Sequence, residues 1–280
     1  MRTRIAPTPS GFLHAGNAFN FLVTDRLAKA LGAKVLLRID DLDAERVRPE
    51  YVEDIFHSLD WLGIKPDEGP SGPEDFARNW SQQHRIERYK EFAEGLRKQG
   101  ALYACSCSRT ELEEMTRTGA VHHCRVRDPE ALEPGTPWRL RIPEHCPVEV
   151  PGFDGGSTTV DLAPMMQDPV ILQRESGRPS YQVASLCDDV DRGITFIVRG
   201  EDLLPSTACQ LLLARLLGEV AFARVLFHHH PLALGADGQK LSKSAGATSL
   251  MALRENGGSP RSLVAAAVAY ADALVKEFKP

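Results

Sequence analysis

The chain has 280 residues, 42% of them hydrophobic and 25% charged, the proportions of a globular protein with a sizeable core. A formal net charge of −5 excludes a module that is basic over its whole surface, although it leaves room for a local patch facing RNA phosphate. No apolar run reaches the roughly 20 residues of a membrane helix, and residues 1–5 lead straight into motif sequence without a signal-peptide core, so a cytoplasmic protein without membrane association is expected. A monomer is also expected. Six cysteines in an intracellular chain of this size do not make a disulfide framework. Cys187 and Cys209, in apolar surroundings, read as packing residues.

In chain order, a helical stretch over residues 17–31, closed by Gly32, precedes an apolar run at 35–39 that suits a strand buried on both faces. Pro49 and Gly63 frame a second helix with Ile55, Leu59 and Leu62 on one side. Ser81 can cap a third, which carries Ile86, Tyr89, Ala93 and Leu96 and stops at Gly100. Residues 101–164 break this rhythm. They are rich in Pro, Gly and Cys, with 138–142 as their best strand. Strands follow at 170–172, 194–198 and 225–228, with a helix at 206–217 between the last two, then a loop and a final helix at 263–278. Alternating strands and helices predict an α/β fold with a doubly wound parallel sheet. Its halves would be residues 1–100 and 165–230, split by an insertion at 101–164 and followed by a C-terminal segment at 231–280.

Two segments carry phosphate chemistry. The first runs from Arg4 through Ala6, Pro7, Thr8, Ser10, Gly11, His14 and Gly16 to Asn17. Its prolines and glycines force a tight turn between a strand and a helix. A helix N-terminus presents free N–H groups and a positive dipole end to a triphosphate. The second, Asp237-Gly238-Gln239-Lys240-Leu241-Ser242-Lys243-Ser244, places two lysines on a Gly-led loop where they can converge on a leaving pyrophosphate. Each alone suits an ordinary turn or a solvated basic loop. Together, at opposite ends of a doubly wound sheet, they carry a resemblance that neither carries alone.

These segments resemble the HIGH-type (here HAGN) and KMSKS-type (here KLSKS) signatures of class I aminoacyl-tRNA synthetases. Three further blocks resemble the glutamyl branch: Arg38-Ile39-Asp40-Asp41-Leu42-Asp43, the stretch from Tyr181 through Ser185 to Asp189, and that from Val198 through Arg199 to Leu204. The resemblance implies a Rossmann-like core that uses glutamate, ATP with Mg²⁺, and tRNA. By it, Arg4 and Arg199 hold substrate carboxylates, Asp40 meets the ammonium, and Tyr181 closes a pocket shared with Ala6, Thr8 and Ser185. Asp40 stands where the branch usually has Glu. Pro7, Ser10, Gly11, His14, Gly16 and Asn17 bind ATP with Lys240, Ser242 and Lys243; His14, Lys240 and Lys243 serve catalysis.

Cys105, Cys107 and Cys124, with a histidine, can hold tetrahedral Zn²⁺ in the insertion, as the branch often does. His123 is the expected fourth ligand, with His122 as its alternative. The run His228-His229-His230 at a strand end reads as structural or nucleotide-proximal rather than metal-binding. The stretch between Ser244 and Pro280 is short for an anticodon-binding domain, and the expectation is a C-terminal helical, stem-contact-like segment instead. That brevity resembles the glutamyl-queuosine tRNA(Asp) synthetases, which transfer glutamate to queuosine in the anticodon loop of tRNA(Asp). Charging of a tRNA 3′ end and a non-catalytic tRNA-binding paralogue remain as alternatives. A nicotinamide dehydrogenase would need a Gly-x-Gly-x-x-Gly turn, which residues 7–16 do not supply.

Overall fold

In a computed structural model, residues 1–126, 136–173, 177–231 and 249–277 are described; Lys240, Ser242 and Lys243 lie outside the described residues. In chain order the elements are β1 (Arg2–Ile5), α1 (Ala15–Ala30), β2 (Lys34–Leu37), α2 (Pro49–Trp61), the short α3 (Pro73–Asp75), α4 (Ile86–Lys98), β3 (Leu102–Ala104), α5 (Arg109–Thr118), β4 (Trp138–Leu140), β5 (Pro147–Pro151) and β6 (Ser157–Asp161). There follow β7 (Val170–Leu172), α6 (Tyr181–Asp191), β8 (Phe196–Gly200), α7 (Leu204–Leu217), β9 (Leu226–His230), α8 (Leu250–Glu255) and α9 (Arg261–Glu277).

The parallel pair β1–β2 is bridged by α1, and the parallel pair β8–β9 by α7. The two pairs lie side by side where Thr195 N–H donates to Arg2 O and Thr3 Oγ1 to Phe196 O, both at 2.8 Å. Successive strand side chains face opposite ways, and both faces are covered. Val35, Leu37, Phe196 and Val198 join one core with α1, α2 and α9. Leu36, Ile197 and Phe227 join the other with α4, α6 and α7. This two-sided burial is why β2 reads as an uninterrupted apolar run.

Helix ends follow their local chemistry. Pro49 opens α2, and Gly63 follows it at φ +71°, a conformation that costs glycine little. Ser81 caps a short 3-10 turn, Gln82–Arg85, and α4 proper begins only at Ile86. The short α8, capped by Ser249, escaped the sequence reading. Among the described residues no helix is long and apolar enough to cross a membrane.

One expected strand is placed differently. Val170–Leu172 does not join the parallel sheet; it runs antiparallel to β4, which runs antiparallel to β3. A three-residue apolar run signals burial but carries no information on strand direction. The β5–β6 hairpin packs through β5 against α7 and β9, which ties the insertion to the main sheet.

Candidate active site

Arg4, Arg38 and Arg199 project from the C-terminal ends of neighbouring strands, where open α/β sheets place ligands. All three are buried. Arg38 clamps Asp40 with two bonds, Nε to Oδ1 at 2.7 Å and Nη2 to Oδ2 at 3.0 Å. Its Nη1 reaches Asp189 Oδ1 at 2.7 Å, and Nη2 reaches Ser185 Oγ at 3.1 Å. Arg4 Nε donates to the same Asp189 oxygen at 3.2 Å. The neighbouring Asp188 accepts from Arg85 Nε at 2.7 Å, Gln82 Nε2 at 2.9 Å and Tyr89 OH.

Arg199 differs. Its Nη1 meets two neutral oxygens, Gln210 Oε1 at 2.9 Å and Thr207 Oγ1 at 3.2 Å. Among the described residues its Nε and Nη2, the edge that fits a carboxylate, are buried without a hydrogen-bond partner. Burial lowers Arg4 to about 10, with the positive charges of Arg199 and Arg38 adding to this and Asp189 opposing it. Burial raises Asp40, and Arg38 counters that. The cluster therefore holds cationic charge in a desolvated place, and an incoming carboxylate would relieve it.

The other expected residues surround this cluster in different ways. Asp40 N–H donates to Pro7 O and Arg38 N–H to Ile5 O, both at 2.9 Å, which stitches the first signature turn to the end of β2. Asp40 is 6% exposed and Ser185 0%, and both are bonded to Arg38. Tyr181, at the start of α6, is 38% exposed, and Thr8 is exposed while Ala6 is half-buried. Sequence reading missed Thr207, Gln210 and Gln82. A glutamine inside the apolar run of α7 was the available signal for Gln210.

His14 caps α1. Its Nδ1 accepts from Gly16 N–H at 3.1 Å, and Asn17 Oδ1 accepts from His14 N–H at 3.0 Å. Ser10, Gly11, Gly16 and Asn17 are half-buried around this turn. Ser249 bridges His14, and Leu250 N–H donates to Leu13 O at 2.8 Å. At the end of β9, His230 Nε2 meets Asn20 Oδ1 of α1 at 3.1 Å. The chain on either side of residues 232–248, which contain Lys240 and Lys243, is thus tied to α1 and the turn before it.

In the insertion, ligand atoms of Cys105, Cys107, His122 and Cys124 all lie within 4.8 Å of one another. Cys107 Sγ and Cys124 Sγ are 3.7 Å apart, and Cys105 Sγ lies 3.2 Å from His122 Nε2. Tetrahedral zinc with Zn–S near 2.3 Å needs sulfurs about 3.8 Å apart, so the donor set fits. The histidine is His122, which corrects the expectation of His123. His122 packs edge-on against Tyr103 at 5.7 Å, whereas His123 opens a 3-10 turn and is exposed. Burial, then the hydrogen bond to Cys124 and the charge of Cys105, push the Cys107 thiol up to about 12, a bias toward the protonated form that a bound divalent cation would reverse.

Residues 1–271 match the family model for the catalytic domain of class I tRNA synthetases (E and Q). A glutamyl-Q tRNA(Asp) synthetase of Nitratidesulfovibrio vulgaris is 36% identical over 300 residues, covering 100% of this chain and 89% of the relative. A glutamate–tRNA ligase of Nitrosomonas europaea is 35% identical over 275 residues, covering 94% of this chain but 56% of the relative. The chain thus spans about half the length of the full ligases it matches. The crystal structure of a glutamate-tRNA synthetase from Elizabethkingia anophelis is similar with a TM-score of 0.78 at 26% identity, covering 100% of this chain and 66% of that one. The chain belongs to the family of class I tRNA synthetases for glutamate and glutamine, and it carries that family's catalytic domain.

Proposed function

We propose that the chain activates glutamate with ATP and transfers the glutamyl group to queuosine in tRNA(Asp). The observation that carries amino-acid activation is the unpartnered Nε–Nη2 edge of Arg199, buried beside Arg4. Two guanidinium sites suit the two carboxylates of glutamate. Glutamine offers only one, and would leave the other cation unpaired. No protein nucleophile is needed. An α-carboxylate oxygen of glutamate attacks the α-phosphorus of ATP, the bond to the β-phosphate breaks, and pyrophosphate leaves. Catalysis is then positioning and charge stabilisation by His14, the α1 N-terminus, Lys240 and Lys243, with Mg²⁺ carried on the triphosphate. An RNA hydroxyl next attacks the glutamyl carbonyl and AMP departs. Zinc held by Cys105, Cys107, His122 and Cys124 would stabilise the insertion rather than take part in this chemistry.

The choice of acceptor is supported by the extent of similarity to the glutamyl-Q tRNA(Asp) synthetases, which is nearly end to end for both chains. The test is transfer of radiolabelled glutamate, with ATP and Mg²⁺, to total tRNA from cells that make queuosine and from cells that do not. Label confined to the queuosine-containing pool, on tRNA(Asp), is the expected result. Equal labelling of both pools would replace this acceptor with a tRNA 3′ end. No label and no adenylate would leave a tRNA-binding paralogue without catalytic activity.

A further inference from the structure

We infer that Thr207, Gln210 and His229 are positioning residues that tie down one edge of Arg199, so that its other edge faces the substrate carboxylate. This rests on the proposed role of Arg199 as a glutamate ligand. Thr207 and Gln210 stand three residues apart on α7, hence on one face of the helix. Both accept from the single nitrogen Nη1. His229 is the residue in register with Arg199 across the β8–β9 pair, and its Nε2 lies 2.8 Å from Thr207 Oγ1. Thr207 Oγ1 also lies 3.2 Å from Leu203 O, so its hydroxyl proton has acceptors that leave a lone pair for Arg199. The His229 ring stacks on Phe227 at 6.2 Å, and Phe227 lies under the Arg199 guanidinium at 5.9 Å.

Each of these partners is neutral. Burial, then the nearby charge of Arg199, lowers His229 to about 4, so it adds no positive charge at physiological pH. The carboxylates of the cluster bind Arg4 and Arg38 instead. Among the described residues Arg199 thus keeps an unpaired fork, with an unpartnered Gln210 Nε2 donor beside it. A carboxylate at position 210 would satisfy Nη1 equally well, but it would neutralise the charge the substrate needs.

The test measures glutamate KM, ATP KM and kcat for transfer to tRNA, together with thermal midpoints. Thr207→Val keeps the volume and removes the acceptor; glutamate KM is expected to rise about tenfold, with kcat and ATP KM within about twofold. Thr207→Ser should bring glutamate KM back to within about twofold. Gln210→Glu should raise glutamate KM more than Thr207→Val does, without lowering the thermal midpoint. Arg199→Lys keeps the charge and loses the fork. If it leaves glutamate KM unchanged, the assignment of Arg199 to glutamate fails. If Arg199→Lys raises glutamate KM while Thr207→Val and Gln210→Glu do not, the positioning inference alone fails. Equal losses in kcat, ATP KM and glutamate KM for Thr207→Val, with no rescue by serine, would overturn it as well.

Discussion

At the scale of residues, Arg38 organises the site without presenting a free edge to it. Asp40, Asp189 and Ser185 all bind its guanidinium, and Asp40 and Asp189 lie in surroundings that strongly disfavour an unpaired charge. Removing one partner of such a buried cluster costs far more than the cluster contributes over an apolar replacement. Arg38→Met is therefore expected to lower stability by about 3–5 kcal/mol, read as a lower urea midpoint at unchanged slope. A loss below about 1 kcal/mol would show that water reaches the carboxylates and solvates them. The segment from Arg38 to Asp43 was legible as an arginine-led acidic motif, yet the sequence could not apportion its acids. Asp41 bonds Ser81 Oγ at 2.5 Å and Gln82 N–H at 2.7 Å, and so serves the turn before α4. Asp43 is exposed near Arg46. The partners of Asp41 lie some forty positions away, beyond the reach of local pattern.

At the scale of elements, β9 shows how strand alternation distributes three identical residues. His228 and His230 face one side of the sheet, where they meet Tyr270 OH at 2.9 Å and Asn20 Oδ1 at 3.1 Å. His229 faces the other side and meets Thr207. Burial lowers His228 and His229 to about 4. The unfolded chain takes up these protons near pH 6.5, the folded chain only near pH 4. Stability is therefore undiminished by these groups above about pH 6.5 and declines as pH falls toward 4. Asp40 and Asp41, raised by burial, act in the opposite sense over part of that range. The difference between wild type and His228→Gln isolates the imidazole share. The variant should lose less of its thermal midpoint than wild type between pH 6.5 and 4.5, and parallel curves would contradict the assignment.

At the scale of the whole molecule, two large apolar cores flank the main sheet, while Tyr103, Cys105 and Cys124 form only a small separate cluster in the insertion. Leu102, Leu140 and Val148 anchor the neighbouring strands in a large core, but so few apolar contacts cannot order the segment around the cysteines alone, and a metal bound by them and His122 would supply the rest. Chelation is expected to strip amide-exchange protection from residues 105–126 while sparing β1, β2, β8 and β9. Cys107→Ser should do the same without chelator. Protection unchanged by both treatments would argue against a structural metal.

By itself the sequence determined the alternation of helices with buried strands, the helix ends at Pro49, Gly63 and Gly100, the two signature segments, and the three cysteines of the cysteine–histidine cluster. These are local properties, written in periodicity, capping chemistry and spacing. Only the tertiary structure decided the strand direction of Val170–Leu172, the choice of His122 over His123, and the partners of Arg38. It alone brought Thr207, Gln210 and His229 to Arg199. Register and packing between distant segments create those contacts, and no local pattern in the chain encodes which buried polar group will face which.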